Sequence, residues 1–456
     1  MQLTFPIERC LQWLKAEPFR QLARQSGWLK RQGKIDAFDF VWSLVLGQMS
    51  ALRLTLNAQA QNLLQPVTRQ SIHERYNPSA VAYFKAAFDY SFAQLLDQGP
   101  DQPLAQALRA HFSAVYLVDS TSFDCPAALQ ELFPGCGGDG SPANVKVLLR
   151  YEFIEGRLEP LQVLPGKRSD QGLAKDLARG MQAGQLYIHD KGFFTAAAWR
   201  QAQAQNAFLL APWPRSASLW VRPDPAGPEV ALDLAQELAR LTENQQEWAQ
   251  VEVGQGAHRA GPLRIVAFRL SEQSANRARA KLHEALRRQG RQPTEAALTL
   301  AGWLILVTNA SAQQLPARVL SYVYRVRWQV ELAFRACKWV LRLDQSESEN
   351  PHRVQCEIWA RLICALLTFN WHAHANAACW QQYRQEISFE QLSRLLQQWG
   401  HTVARALVQG SADLSTLLQD LWRRILKNAR KGRQKTRTNT WDLLWEHWLK
   451  PTPATP

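Results

Sequence analysis

Apolar residues recur at helical spacing through the first hundred positions, in FPIERCLQWLKAEPFRQLARQ, IDAFDFVWSLVLGQM and SAVAYFKAAFDYSFAQLL. Short polar breaks such as RYNPS separate these runs, so the pattern predicts a helical region over residues 1–110. TRQSIHERY is compatible with part of a helix-turn-helix, although it carries no defined recognition-helix pattern. After about residue 110 the period shortens. VYLVDS (115–120) reads as a buried strand, with VKVLLRYEF (145–153) and LEPLQVLPG (158–166) as a pair that follows it. DQGLAKDLARGMQAG reads as a helix with Asp170 at its N-cap. QLYIHDKG (185–192) reads as a fourth strand, TAAAWRQAQAQ as a helix starting near Thr195, and AFLLAPW as a fifth strand.

Three strands followed by helix, strand, helix and strand is the order of a ribonuclease H-like α/β core. A segment at about 214–300 interrupts it, with strand candidates SLWVR, AQVEVG and LRIVAFRL and a basic helix, ANRARAKLHEALRRQGR. AGWLILVTN (301–309) resumes the core. From about residue 345 the chain is helical again and closes with a basic run, RRILKNARKGRQKTR, and a tail predicted to be disordered from about residue 451. The expected organisation is therefore a helical region over 1–110, an α/β mixed-sheet core over 111–345 carrying a β-rich insertion, and a helical region over 346–456.

One helix breaks the usual pattern. YRVRWQVELAFRACK (324–338), wound at about 100° per residue, places Tyr324, Arg327, Glu331 and Lys338 in one narrow stripe. Val326, Val330, Ala333 and Cys337 cover the back, and Trp328 and Leu332 one flank. A surface helix is apolar on one stripe and polar over a broad face, and this is the inverse. An Arg327–Glu331 salt bridge is the plainer explanation, but Arg before Glu at i,i+4 is the weaker orientation. A buried carboxylate ringed by cations points to a site that handles phosphate, or metal and phosphate together.

The chain is strongly basic. The formal net charge is +14 over 456 residues, which favours a polyanionic partner, with nucleic acid the commonest. The eighteen Trp are mostly expected in the core, with stacking on bases the alternative use for some. Seven Cys, scattered and without a CxxC pair, read as reduced thiols filling core space. Glu8, Arg9 and Lys15 interrupt any signal-peptide pattern, and no apolar run reaches the length of a membrane span. The expectation is a soluble cytoplasmic protein.

In the predicted core the first strand ends at Asp119 and the fourth at Asp190, each followed by turn-forming residues. Strands one and four are neighbours in such a core, so both carboxylates face one crevice that Glu331 closes. Three carboxylates at one point need cations between them, and an all-oxygen set suits Mg²⁺ or Mn²⁺. Taken singly, Asp119 and Asp190 are better explained as turn residues, and it is the third partner, Glu331, that changes this; Asp124, in FDCP, reads as a pre-proline turn.

The spacing Tyr324-(2)-Arg327-(3)-Glu331-(6)-Lys338 resembles the Y-(2)-R-(3)-E-(6)-K signature of the DDE insertion-sequence transposases, in the bacterial group typified by insertion sequence four. RWQVELAFRACK is similar to that group's RW-x-I/V-E-x-x-F-(K/R)-x-x-K, and VDST and DKGFF resemble its two Asp boxes. The resemblance covers roughly residues 110–345 and implies a cut-and-paste DNA transposase, an endonuclease that also joins strands. It implies that Asp119, Asp190 and Glu331 bind two Mg²⁺ ions, with Mn²⁺ as substitute, and that Tyr324, Arg327 and Lys338 hold phosphates of the transposon end. Arg335, where a lysine is common, keeps the DNA-contacting charge. Some members flip a base onto a Trp ahead of the signature helix. Trp303 occupies the matching place, and a core role in AGWLILV explains it equally well. Lys146 fits an edge-strand lysine better than a DNA contact. The implied partners are double-stranded DNA, as terminal inverted repeats and target, and a second copy of the chain in a synaptic complex on the nucleoid. A ribonuclease H-like nuclease without strand transfer and a transposase-derived DNA-binding regulator are the alternatives. The cationic stripe argues against the first and the complete carboxylate set against the second.

Overall fold

The computed structural model describes residues 15–31, 33–49, 54–95, 108–137, 141–154, 157–224, 226–256, 258–325, 327, 348–383, 385–409 and 414–431. In chain order the first helices are α1 (Ala16–Gln25), α2 (Ala37–Met49), α3 (Leu56–Asn62), α4 (Arg69–Arg75) and α5 (Pro78–Leu95). Then come β1 (Ala114–Cys125), β2 (Ala143–Glu152), β3 (Arg157–Pro165), α6 (Asp170–Arg179), β4 (Gln185–His189), α7 (Ala196–Ala204) and β5 (Phe208–Pro212). The stretch that follows carries β6 (Leu219–Val221), β7 (Val230–Ala231), α8 (Leu234–Arg240), β8 (Gln245–Gln255), β9 (His258–Arg269), α9 (Glu272–Arg287) and α10 (Glu295–Ala301). β10 (Trp303–Thr308) leads to helical residues 317–325 and Arg327, and α11 (Pro351–Tyr383), α12 (Phe389–Gln409) and α13 (Leu414–Asn428) complete the set.

These elements belong to two compact units. One draws on residues 1–102, 120–167 and 330–436, the other on 103–119, 168–329 and 437–456. In the first, the strand order is β3-β2-β1, with β2 and β3 antiparallel, and α5 packs on α11. Its helical core is aromatic: Phe19, Phe40, Trp42, Tyr83, Phe84 and Phe88 are buried. Trp28 stacks 4.8 Å from Phe40 and 5.4 Å from Tyr83, and its indole N–H donates to the Arg75 carbonyl at 3.1 Å. Rings of this size stabilise by about 1.5–3 kcal/mol each when buried, which is where part of the high Trp content is used. On α11 a buried Glu357 lies 2.9 Å from Arg353 and 3.7 Å from Arg361.

The second unit holds a mixed sheet in the order β1-β4-β5-β10-β9-β8-β6-β7. β1, β4 and β5 run parallel, whereas β10 is antiparallel to both β5 and β9. The segment at 214–300 is therefore no appendage. Its long hairpin, β8 and β9, continues the sheet outward from β10, and two helices, α9 and α10, accompany the strands.

Several local expectations need correction. β1 does not end at Asp119 but runs on to Cys125, because it loses β4 as a neighbour there while continuing as a strand of the other unit. Asp124 accordingly lies in a strand, where its carboxylate accepts from the Asn144 amide at 2.9 Å, rather than in a turn. Lys146 is no edge-strand lysine, since β2 lies between β3 and β1. The N-cap of α6 is Ser169, whose hydroxyl accepts from the Gly172 N–H, and Asp170 takes the first helical position. A carboxylate there still favours the positive end of the helix dipole. The cysteines among the described residues are free, four of the five buried. Among the described residues no helix is long and apolar enough to cross a membrane.

Candidate active site

β1 and β4 pair in parallel at a constant offset, from Ala114 opposite Gln185 to Val118 opposite His189. The next step along both strands sets Asp119 beside Asp190. β4 stops at this point, and Asp190, in extended conformation, opens a 3-10 turn over Lys191–Phe193, its carbonyl accepting from the Phe193 N–H at 3.1 Å. Val115–Val118 and Gln185–His189 are buried, and both aspartates are half-buried. The aspartates thus occur where the β1–β4 pairing of apolar residues ends. Neighbouring strands lie about 4.8 Å apart, so the backbone brings the two residues close together.

Behind this edge sits His189, 5 % exposed, its ring 6.0 Å from Phe193 and 6.3 Å from Trp199. Burial is the main cause that lowers its pKa to about 4, with the Arg327 charge adding to it, while the hydrogen bond to the Asp190 carbonyl and the Asp190 charge oppose. The imidazole is neutral at pH 7. Because a carbonyl can only accept, Nδ1 carries the proton of the 3.0 Å contact to the Asp190 oxygen. Arg327 is also buried, at 9 % exposure, and its Nε donates to the Tyr324 hydroxyl at 3.1 Å. The guanidinium lies 5.3 Å from the Tyr324 ring centroid. Two of the four stripe residues therefore meet as predicted by their spacing, and the charge of Arg327 is felt at the residue next to Asp190. Glu331, Lys338 and Arg335 lie outside the described residues.

Trp303 opens β10 and pairs with Arg269, whose guanidinium covers its ring at 4.5 Å. It is 6 % exposed, so its faces are occupied within the fold. Sequence reasoning passed over two residues. His189 had a signal, as the residue immediately before an Asp box. Arg264 had another, a lone charge in the apolar run LRIVAF. Its Nε donates to Glu247 at 2.7 Å, and its Nη1 donates to the carbonyls of Ala310 and Leu315 at 2.8 and 3.0 Å. Arg264 thus clasps the turn between β10 and the helix that carries Tyr324 and Arg327.

Comparison with known proteins decides the family. The profile of the transposase DDE domain matches residues 110–367, more than half of the chain. This chain belongs to the DDE transposase family. Relatives include the transposase of insertion sequence element IS231F from Bacillus thuringiensis subsp. israelensis, 22% identical over 457 residues, covering 96% of this chain and 94% of that protein. The transposase of IS1151 from Clostridium perfringens is 22% identical over 365 residues, covering 76% of each chain. A putative transposase InsL of IS186A from Escherichia coli K12 is 33% identical over 106 residues, 23% of this chain and 29% of its own. Among solved structures, the piggyBac transposase synaptic complex with hairpin DNA overlaps 99% of this chain and 88% of its own at 11% identity, with a TM-score of 0.43. DDE transposases cleave DNA and transfer strands, and they generally use divalent metal ions. Among the described residues no group of three or more His, Cys, Asp or Glu is placed to hold a metal. Asp119 and Asp190 form a two-carboxylate, all-oxygen donor pair, which fits a hard divalent cation.

Proposed function

We propose that this transposase binds the terminal inverted repeats of an insertion sequence, excises the element and joins it to target DNA by a cut-and-paste route. The observation that supports this reading is the β1–β4 register, by which Asp119 and Asp190 both follow the last paired residues of the two strands, with Arg327 close enough to act on His189. The order β3-β2-β1 in one unit and β1-β4-β5 in the other, with β1, β4 and β5 parallel, supports a ribonuclease H-like core. On this reading residues 1–110 recognise DNA, 111–345 are catalytic and 346–456 serve dimerisation and DNA contact, in a homodimer acting on the nucleoid of the cytoplasm.

Asp119, Asp190 and Glu331 would hold two Mg²⁺, replaceable by Mn²⁺, which when bound supply charge stabilisation for an in-line phosphodiester displacement. The chain's own part is to place the strand. Arg327, beside Tyr324, would bring its guanidinium charge to a phosphate, with Lys338 and Arg335 adding charge on the same helix. The Tyr324 hydroxyl, by accepting from a guanidinium, becomes a stronger donor through its own O–H. Held in this way, the attacked phosphodiester gains the orientation that in-line attack requires. A base stacked on Trp303 would have to replace the Arg269 guanidinium, in return for about 1–3 kcal/mol of stacking.

The test is cleavage and joining of labelled duplexes from the ends flanking the gene, with Mg²⁺ or Mn²⁺. Asp119→Asn, Asp190→Asn and Glu331→Ala should each abolish nicking at the repeat boundary and transfer to target, and chelation should do the same to the wild type. Cleavage that survives any of the three substitutions overturns the assignment of that carboxylate.

A further inference from the structure

The strand registers place a second feature at the edge where the aspartates lie. Ile188 pairs with Leu210, Pro212 with Leu306, and Leu306 with Val266. Asp190 is therefore level with Val266, three strands across. β9 runs three residues beyond that level to Arg269, and α9 begins at Glu272. With strands about 4.8 Å apart and about 3.3 Å per residue, the end of β9 lies about 17 Å from Asp190, half of the ~34 Å helical repeat of B-DNA.

α9 is cationic to a degree that its packing does not need. Residues 272–291 carry Arg277, Arg279, Lys281, Arg287, Arg288 and Arg291 against Glu272 and Glu284. Ala275 is buried, and Arg279 is used internally, its Nε donating to the Leu298 carbonyl at 3.4 Å and its Nη1 to Asn276 at 3.1 Å. Arg277, Lys281, Glu284 and Arg288 recur at i, i+4, i+7 and i+11, on one exposed stripe about 16 Å long. Elsewhere in the same unit, exposed arginines such as Arg168, Arg179 and Arg222 sit against carboxylates. Among the described residues Arg277, Lys281, Arg287 and Arg291 have no such partner. Glu284, which pairs with Arg288, is the stripe's one negative charge.

We infer that the outward stripe of α9 contacts the phosphate backbone of duplex DNA away from the phosphate being cut. The inference rests on the reading of the Asp119–Asp190 edge as the place of cutting. The stripe's length spans two or three successive phosphates of one strand, and its chemistry reads backbone charge, not base sequence. It adds an anchor beyond the reacting phosphate, contributed by the insertion.

The test measures binding of the full-length protein, without metal, to duplexes extending at least one turn on both sides of the cleavage position, across a range of salt concentrations. Replacing Arg277, Lys281 and Arg288 together by Gln should make the slope of log K against log salt shallower by about 2–3, since each phosphate contact contributes roughly 0.9. In the wild type, duplexes shortened to end near the cut on the side α9 reaches should show the same loss. Glu284→Gln, which leaves every cation in place, should tighten binding about twofold. A slope within 0.5 of wild type in the triple variant, or unchanged affinity in Glu284→Gln, overturns the inference. Asp119→Asn separates the two failures. Cleavage surviving that substitution overturns the reading of the edge, whereas a salt slope indifferent to the α9 substitutions overturns only this surface.

Discussion

Arg264 offers a way to ask how the insertion supports the helix of Tyr324 and Arg327. Arg264→Met keeps the aliphatic stem and removes three donated hydrogen bonds: one to Glu247 and two to the Ala310 and Leu315 carbonyls. The Glu247 contact is partly exposed, so its loss costs at most about 1 kcal/mol. The two carbonyl contacts are buried and charge-assisted, worth about 1.5–3 kcal/mol each. A local loss of at least about 3 kcal/mol follows, or roughly a hundredfold in the opening equilibrium of the turn. Hydrogen exchange read by mass spectrometry over residues 309–325 measures this directly. The amides of Leu315, bonded to Ser311, and Val319, bonded to Pro316, are the reporters. Arg264→Met should lower their protection about a hundredfold and leave α11 unchanged. A decrease below tenfold would refute the claim that Arg264 holds the turn.

Two further outcomes concern the other unit. Removing the Glu357 carboxylate takes the counter-charge from buried Arg361 and half-buried Arg353 and leaves them the neutral contacts to Gln48 and the Leu54 carbonyl, so Glu357→Ala should destabilise by about 3 kcal/mol, seen as a large drop in the urea midpoint. A loss below 1 kcal/mol would show that the arginines find other partners. Burial is the main cause that lowers the His372 pKa to about 4, with Lys431 adding to it against the hydrogen bond to the Ile387 carbonyl. The folded value is depressed below that of a free histidine, so the unfolded chain binds the extra proton. The contribution is full above about pH 6.5 and is lost as pH falls toward 4, up to about 3 kcal/mol. His372→Asn should flatten that stretch of the stability curve, and an unchanged slope would place the titration elsewhere.

The core strands were legible because each is a short apolar run bounded by turn residues, and the two aspartates stood out where such runs stop. What failed was anything decided by a partner strand. Asp119 looked like a strand end, but β1 exchanges one neighbour for another and runs on to Cys125. The same information was missing for Lys146, whose strand is covered on both sides, and for Asp124, whose partner Asn144 lies twenty residues away. Ser169 and Asp170 both suit a helix start, and only the backbone conformation settles which one caps. Arg264 was visible as a charge in an apolar strand, yet its role depends on a turn some fifty residues further along the chain. The stripe spacing foresaw that Tyr324 and Arg327 lie side by side, though not their hydrogen bond, because both are on one helix, where sequence distance is spatial distance.

The extension of the sheet by β8 and β9 bears on how this polypeptide survives its own synthesis. WLILVT, the sequence of β10, is short, apolar and uncharged, and every residue of it pairs with β9. A strand of that composition with one open side is a template for association between chains. Because β9 precedes β10 in the chain, its cover is already made when β10 leaves the ribosome. A version trimmed of the insertion would present that bare edge and be prone to precipitate, even with every catalytic residue intact.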